Sequence, residues 1–124
     1  LLLIDESQAL FEQLGPALRT LDVEVVWAGN LVDGMYRLRM LRPQGVLVSE
    51  TGAFLPGHEV CRLIRSVQGY EHLPVWVYGE ASDALARHCV AAGATGCFPS
   101  GRTMVEDISL ALAGLLASRI ESLS

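Results

Sequence analysis

At 124 residues, 51% apolar and 19% charged, the chain is long enough for one domain, and a domain of that size buries roughly two thirds of the surface its unfolded form exposes. A net charge of −5 with scattered basic residues argues against a nucleic-acid footprint, because phosphate binding is driven by clustered cations, and no apolar run nears the ~20 residues of a membrane span. All nine basic side chains are arginine, so any mechanism that needs a lysine ammonium from this chain is excluded.

Strand and helix patterns alternate from end to end, the arrangement that yields a parallel sheet covered on both faces. Leu1 to Ile4 is a continuous apolar run, as a doubly buried strand should be. Ser7 is a candidate cap for a first helix with Leu10, Leu14, Leu18 and Leu21 at helical spacing, and Pro16 inside it predicts a kink or break. Val23 to Trp27 mixes apolar and charged residues, as a half-exposed edge strand does. Asn30 caps a second helix through about Leu41, with Leu31, Met35 and Leu38 on one face.

Val46 to Val48 reads as a third strand and Gly57 to about Val67 as a third helix that buries Val60, Ile64 and Val67. Pro74 opens a fourth strand through Tyr78. Ser82 and Asp83 start a helix expected to turn Leu85, Ala86, Cys89 and Val90 inward, and Gly93 stops it. Gly96 to Phe98 is a short fifth strand. Thr103 and Glu106 have capping-box spacing at the start of a last helix. Its stripe Val105, Ile108, Leu112, Leu115 or Leu116, Ile120 and Leu123 runs about two turns beyond what a five-stranded sheet requires. We read residues 1–124 as one domain, expected to be a piece of a longer protein, whose last helix (103–123) packs on its own domain or leads toward an output domain or dimer partner. Cys61, Cys89 and Cys97 have neither disulfide pairing nor zinc-type spacing and are expected to be reduced, mostly buried thiols of a cytoplasmic protein.

The fold class that follows is α/β, a flavodoxin-like doubly wound five-stranded parallel sheet of order 2-1-3-4-5 with five helices. Within it, Ile4-Asp5-Glu6-Ser7 resembles the acidic pair after strand 1 of the response-regulator receiver domains. Gly57 to Arg65 resembles their third helix, Leu73-Pro74-Val75 their fourth strand, and Ala92 to Gly96 their turn before strand 5. The resemblance covers essentially the whole chain in order and spacing. It implies five groups at the strand ends: two acids and a nucleophilic aspartate holding a divalent cation, a hydroxyl on strand 4, and a lysine after strand 5.

Carried over residue by residue, the acidic pair is Asp5 and Glu6, the nucleophile position is Ser49, the hydroxyl position is Gly79 and the lysine position is Ser100. Three of the five groups are missing, and the aromatic switch position of that family falls on Cys97. A serine needs a base to act as nucleophile, and none of His58, His72 and His88 lies at a predicted strand end near Ser49. Glu50 is read as a solvated loop glutamate, or, if the strand runs one residue further, as a carboxylate beside the vacated site that imitates a phosphorylated aspartate. Asp5 and Glu6 read as a remnant acidic patch rather than a metal site, and Arg102 as a surface residue.

The expectation is a non-enzymatic, degenerate receiver module of two-component phosphorelay signalling, without catalytic residues, cofactor or bound Mg²⁺. It would act through protein–protein contacts of the fourth helix, fifth strand and fifth helix with an output domain, a partner protein or a second copy, and not with nucleic acid or membrane. Two alternatives stand beside it: a phospho-accepting receiver with unorthodox residues, and a small-molecule-binding flavodoxin-like domain. Against the second, the turn after strand 1 has no glycine-rich phosphate loop.

Overall fold

Each strand is short and apolar, and the pleat divides its side chains between two separate cores. In the computed structural model, which describes the backbone of residues 1–123 and the side chains of residues 1–118, strands β1 (Leu2–Ile4), β2 (Val26–Ala28), β3 (Val46–Ser49), β4 (Val75–Gly79) and β5 (Gly96–Pro99) alternate with helices α1 (Ala9–Arg19), α2 (Leu31–Leu41), α3 (Gly57–Ser66), α4 (Asp83–Ala92) and α5 (Met104–Leu123). All neighbours are parallel and the strand order is β2-β1-β3-β4-β5, the doubly wound flavodoxin-like arrangement expected from the sequence. β2 lies at one edge as expected, but it covers Val26–Ala28, so Glu24 of the predicted strand Val23–Trp27 lies before it.

Leu2, Ile4, Val46, Val48, Val75 and Val77 face α2, α3 and α4, where Leu38, Val60, Ile64, Leu85 and Cys89 complete a buried cluster. Leu3, Leu47, Trp76 and Tyr78 face α1 and α5, against Leu10, Leu14, Leu18, Ile108 and Leu112. Because successive strand residues alternate between faces, Ser49 continues the α1–α5 series and Glu50 the α2–α4 series. This alternation decides the geometry of the candidate site.

Several local expectations are corrected. α1 is continuous through Pro16; proline removes one bond to the Glu12 carbonyl, and both residues are exposed, so water can take that carbonyl. α3 ends at Ser66, leaving Val67 exposed, and buries Cys61 in its place. α4 turns Leu85, Cys89 and Ala92 inward, spaced four and three apart, while Ala86 is exposed and Val90 is 80% exposed. The capping box does not close: the Thr103 hydroxyl bonds the Asp107 carboxylate at 3.0 Å. In α5, Ile108 and Leu112 are buried and Leu115 packs against the same cluster; the side chains of Ile120 and Leu123 lie outside the described residues.

The caps predicted for α2 and α4 do form. Asn30 Oδ1 accepts from the Asp33 N–H at 2.8 Å and Ser82 Oγ from the Leu85 N–H at 3.0 Å. Gly93 ends α4 at φ +79°, a left-handed conformation that glycine adopts without steric cost. Arg65 spans from α3 to this end, donating to the Gly93 carbonyl (2.9 Å) and to the carbonyls of Tyr70 (2.9 Å) and Leu73 (2.5 Å). One guanidinium thereby satisfies three backbone acceptors and fixes the loop that leads into β4.

Candidate functional site

The carboxyl ends of β1 and β3 bring Asp5, Glu6 and Ser49 together around an open cleft of about 450 Å³ that Tyr78 and Met104 also line. On the other side of the same residues a smaller, mostly apolar pocket of about 180 Å³ lies under the loop 51–55, walled by Ile4, Leu31, Val48, Leu55 and Val60. Neither cavity includes Gly79 or Ser100 in its lining. Those two meet through the backbone, the Ser100 N–H donating to the Gly79 carbonyl at 2.8 Å. Arg102 is exposed and lies away from both cavities.

Asp5, Glu6 and Ser49 each already have a backbone partner. Asp5 Oδ1 accepts the Ser7 N–H at 3.0 Å and the Asp5 carbonyl accepts Trp27 Nε1 at 2.7 Å. Burial raises the Asp5 carboxyl above its ordinary value; the Ser7 N–H opposes this shift and the neighbouring Glu6 charge adds to it. Glu6 Oε1 accepts the Ala53 N–H at 2.6 Å and so ties the β1–α1 turn to the loop after β3. Ser49 Oγ accepts the Thr51 N–H at 3.2 Å and reaches the Thr51 carbonyl at 3.5 Å, a serine turn closed on its own backbone. Tyr78 and Met104, which line the cleft from β4 and α5, were not singled out in the sequence; Tyr78 could have been found from its place one residue before Gly79 on the α1–α5 face.

Glu50 does not reach this cleft, and it is not a solvated loop residue either. Its carboxylate turns to the α3–α4 flank, accepting the His58 N–H at 2.9 Å through Oε1 and facing His58 Nδ1 at 2.7 Å through Oε2. A carboxylate oxygen only accepts, so Nδ1 carries the shared hydrogen. The stem of Glu50 passes over Gly79: a Cβ added there would sit 2.8 Å from Glu50 Cβ and 3.5 Å from its Cγ. The glycine at the hydroxyl position thus opens the space that Glu50 occupies. His88 of α4 stacks on His58, with ring centroids 4.3 Å apart and planes 23° from parallel.

The three cysteines are free, and Cys61 and Cys89 are buried. Burial, reinforced by Cys97 and by the Glu50 charge, pushes the Cys89 thiol up to about 12. Burial also raises the Cys61 thiol, against Arg65 and Arg62. Both are packing residues rather than nucleophiles. Among the described residues no helix is long and apolar enough to cross a membrane.

No family model matches the sequence, and no curated protein matches it. Solved structures do resemble it. The signal receiver domain of a putative Luxo repressor protein from Vibrio parahaemolyticus superposes with a TM-score of 0.82 at 17% identity, covering 98% of this chain and 93% of that one. A CheY-like response regulator receiver domain protein from Methanospirillum hungatei gives 0.82 at 16%, over 98% and 95%. The signal receiver domain of a DNA binding response regulator from Colwellia psychrerythraea gives 0.77 at 23%, over 91% and 96%. At these identities the likeness is one of architecture, and it is shared along nearly the whole chain: the protein has the fold of the response-regulator receiver domains.

Proposed function

We propose that this chain is a receiver-type module of two-component signalling that takes no phosphoryl group on aspartate and works through contacts with other proteins. The observation that carries the reading is the Ser49 turn. Where a receiver needs a carboxylate nucleophile at the end of β3, this chain has a hydroxyl bonded to the Thr51 N–H. No histidine lines the cleft to take its proton.

The rest of the cleft supports the same reading. Transfer of a phosphoryl group is catalysed almost entirely by positioning and by charge that neutralises its oxygens. Here Gly79 offers no hydroxyl, Ser100 offers no ammonium, and the sequence contains no lysine to replace it. The donor set does not fit the divalent cation that the resemblance implies. One oxygen of Asp5 and one of Glu6 are committed to backbone N–H groups, and the third carboxylate, which would make an oxygen cage, is absent.

Function then rests on surface. The α4–β5–α5 side carries exposed apolar groups, Val90 at 80% and Leu110 at 71%, which suit contact with an output domain, a partner protein or a second copy. The decisive experiment incubates the purified chain with acetyl phosphate and Mg²⁺ and measures its intact mass. The expected spectrum is unchanged. A stable adduct of one phosphoryl group would overturn the proposal in favour of a phospho-accepting receiver with unorthodox residues.

A further inference from the structure

Glu50, His58 and His88 come from three different elements: the loop after β3, the first turn of α3 and the last half of α4. Each offers one ligand atom, and the three atoms all lie within 4.8 Å of one another. We propose that this cluster is a binding site for a divalent transition ion of the zinc type, separate from the strand-end cleft.

The chemistry of the donors selects the ion. Two imidazole nitrogens and one carboxylate oxygen form a set suited to Zn²⁺ and its neighbours Co²⁺, Ni²⁺ and Cu²⁺, and poorly suited to Mg²⁺ or Ca²⁺, which take oxygen cages. Metal–ligand bonds of ~2.0–2.2 Å at tetrahedral angles place two ligands ~3.4 Å apart, so the cluster must close by roughly an ångström, and because imidazole lone pairs lie in the ring plane the His88 ring must also turn out of its stack on His58. His88 can supply that movement because its side chain is exposed. His58 and Glu50 are held more firmly, with side chains 12% and 23% exposed. Both carboxylate oxygens of Glu50 are directed at residue 58, one on its N–H and one on Nδ1, so the carboxylate is oriented before any ion arrives; an ion bound between them takes the place of the Nδ1 hydrogen, which moves to Nε2 of the same ring.

The site also accounts for Gly79. Any side chain at that position would collide with the Glu50 stem, and Glu50 could then no longer lie against α3. An ion held here would join the end of β3 to α4, linking the strand that carries Ser49 to the surface proposed to meet partners. With three protein ligands, one coordination position stays open to water or to a donor from outside the chain.

The test uses the full chain stripped of metal, titrated with zinc sulfate by calorimetry and then with Co²⁺ by absorption spectroscopy. One zinc per chain should bind. His88→Ala and Glu50→Gln should each weaken binding at least about 10-fold, the lower end of what even outer partners of a metal site contribute. His72→Ala, an exposed histidine outside the cluster, should leave affinity unchanged. Zinc should raise the melting temperature of the parent chain and not of His88→Ala, which alters an exposed side chain and keeps the fold. Absence of binding, affinity unaltered in either ligand variant, or a thiolate-to-cobalt charge-transfer band that places the ion on cysteine would each overturn the proposal.

Discussion

Ser49 and Glu50 are consecutive in the chain, yet the pleat sends them to opposite faces of the sheet, and the two faces are built differently. On the α1–α5 side, Ser49, Asp5 and Glu6 sit where receiver chemistry is expected, and each has been drawn into a bond with nearby backbone. On the α2–α4 side, where the sequence pointed to no ligand cluster, a carboxylate and two imidazoles converge. Gly79 belongs to both stories. It removes a hydroxyl from the first site and makes room for Glu50 in the second. A vacancy read as loss along the sequence is a gain of space in three dimensions.

The strongest way to break this comparison is to push α3 off the end of β3. A Cβ on Gly57 would lie 2.6 Å from the Ser49 carbonyl oxygen and 2.8 Å from its carbonyl carbon, backbone atoms that cannot move aside cheaply. Helix propensity alone would favour alanine here by about 1 kcal/mol. Gly57→Ala should nevertheless lower stability by about 3 kcal/mol, the upper part of the overpacking range, as read by urea denaturation. It should also displace His58 from Glu50. A variant as stable as the parent would show that α3 does not need this close approach.

Gly79→Ala tests the link between the two sites more directly. The added methyl meets Glu50 Cβ at 2.8 Å, against a gain of about 0.5–1 kcal/mol from replacing glycine within a strand, and a net loss of about 1–2 kcal/mol should result. The loss should shrink in a Glu50→Gly background, where the colliding atom is gone, and a double-mutant cycle in denaturant reads that coupling. If the two substitutions add independently, Gly79 is not shaped by Glu50.

What the sequence disclosed and what it withheld differ for a physical reason. Periodicity, the Asn30 and Ser82 caps and the apolar strands are local signals, and they placed the ten elements, whereas the strand order came from the doubly wound layout that five alternating strands and helices match. The positions Asp5, Glu6, Ser49, Gly79 and Ser100 came from the resemblance to receiver domains, and of these Asp5, Glu6 and Ser49 share one cleft while Gly79 and Ser100 do not line it. Glu50, His58 and His88 were not legible as a group: they are separated by 8 and 30 residues, and what joins them is the contact of α3 with α4. The histidines had been weighed only against the end of β3 as bases for Ser49. Alternation along β3 was the missed clue, since Val46 and Val48 face α3 and Glu50 must follow them. The capping box failed at a different level. The spacing of Thr103 and Glu106 was right, but the Thr103 hydroxyl found Asp107 instead.

The gentlest probe addresses what Asp5 still does. Burial raises its folded-state carboxyl above the unfolded value, so the folded chain binds more protons than the unfolded chain between those two values. Stability contributed at this position is therefore greatest below the ordinary carboxylate range and falls as pH rises through the window just above it. At neutral pH the charged carboxylate, 8% exposed, carries a desolvation cost that only the Ser7 N–H relieves. Asp5→Asn keeps a carbonyl oxygen to accept that N–H and removes the charge. It should stabilise the chain near neutral pH, by less than either glycine effect, and the advantage should fade on acidification, as followed by thermal melts of both proteins across the range. An asparagine variant that is less stable at neutral pH would mean that the negative charge itself is needed there, as it would be if Asp5 and Glu6 still held a cation.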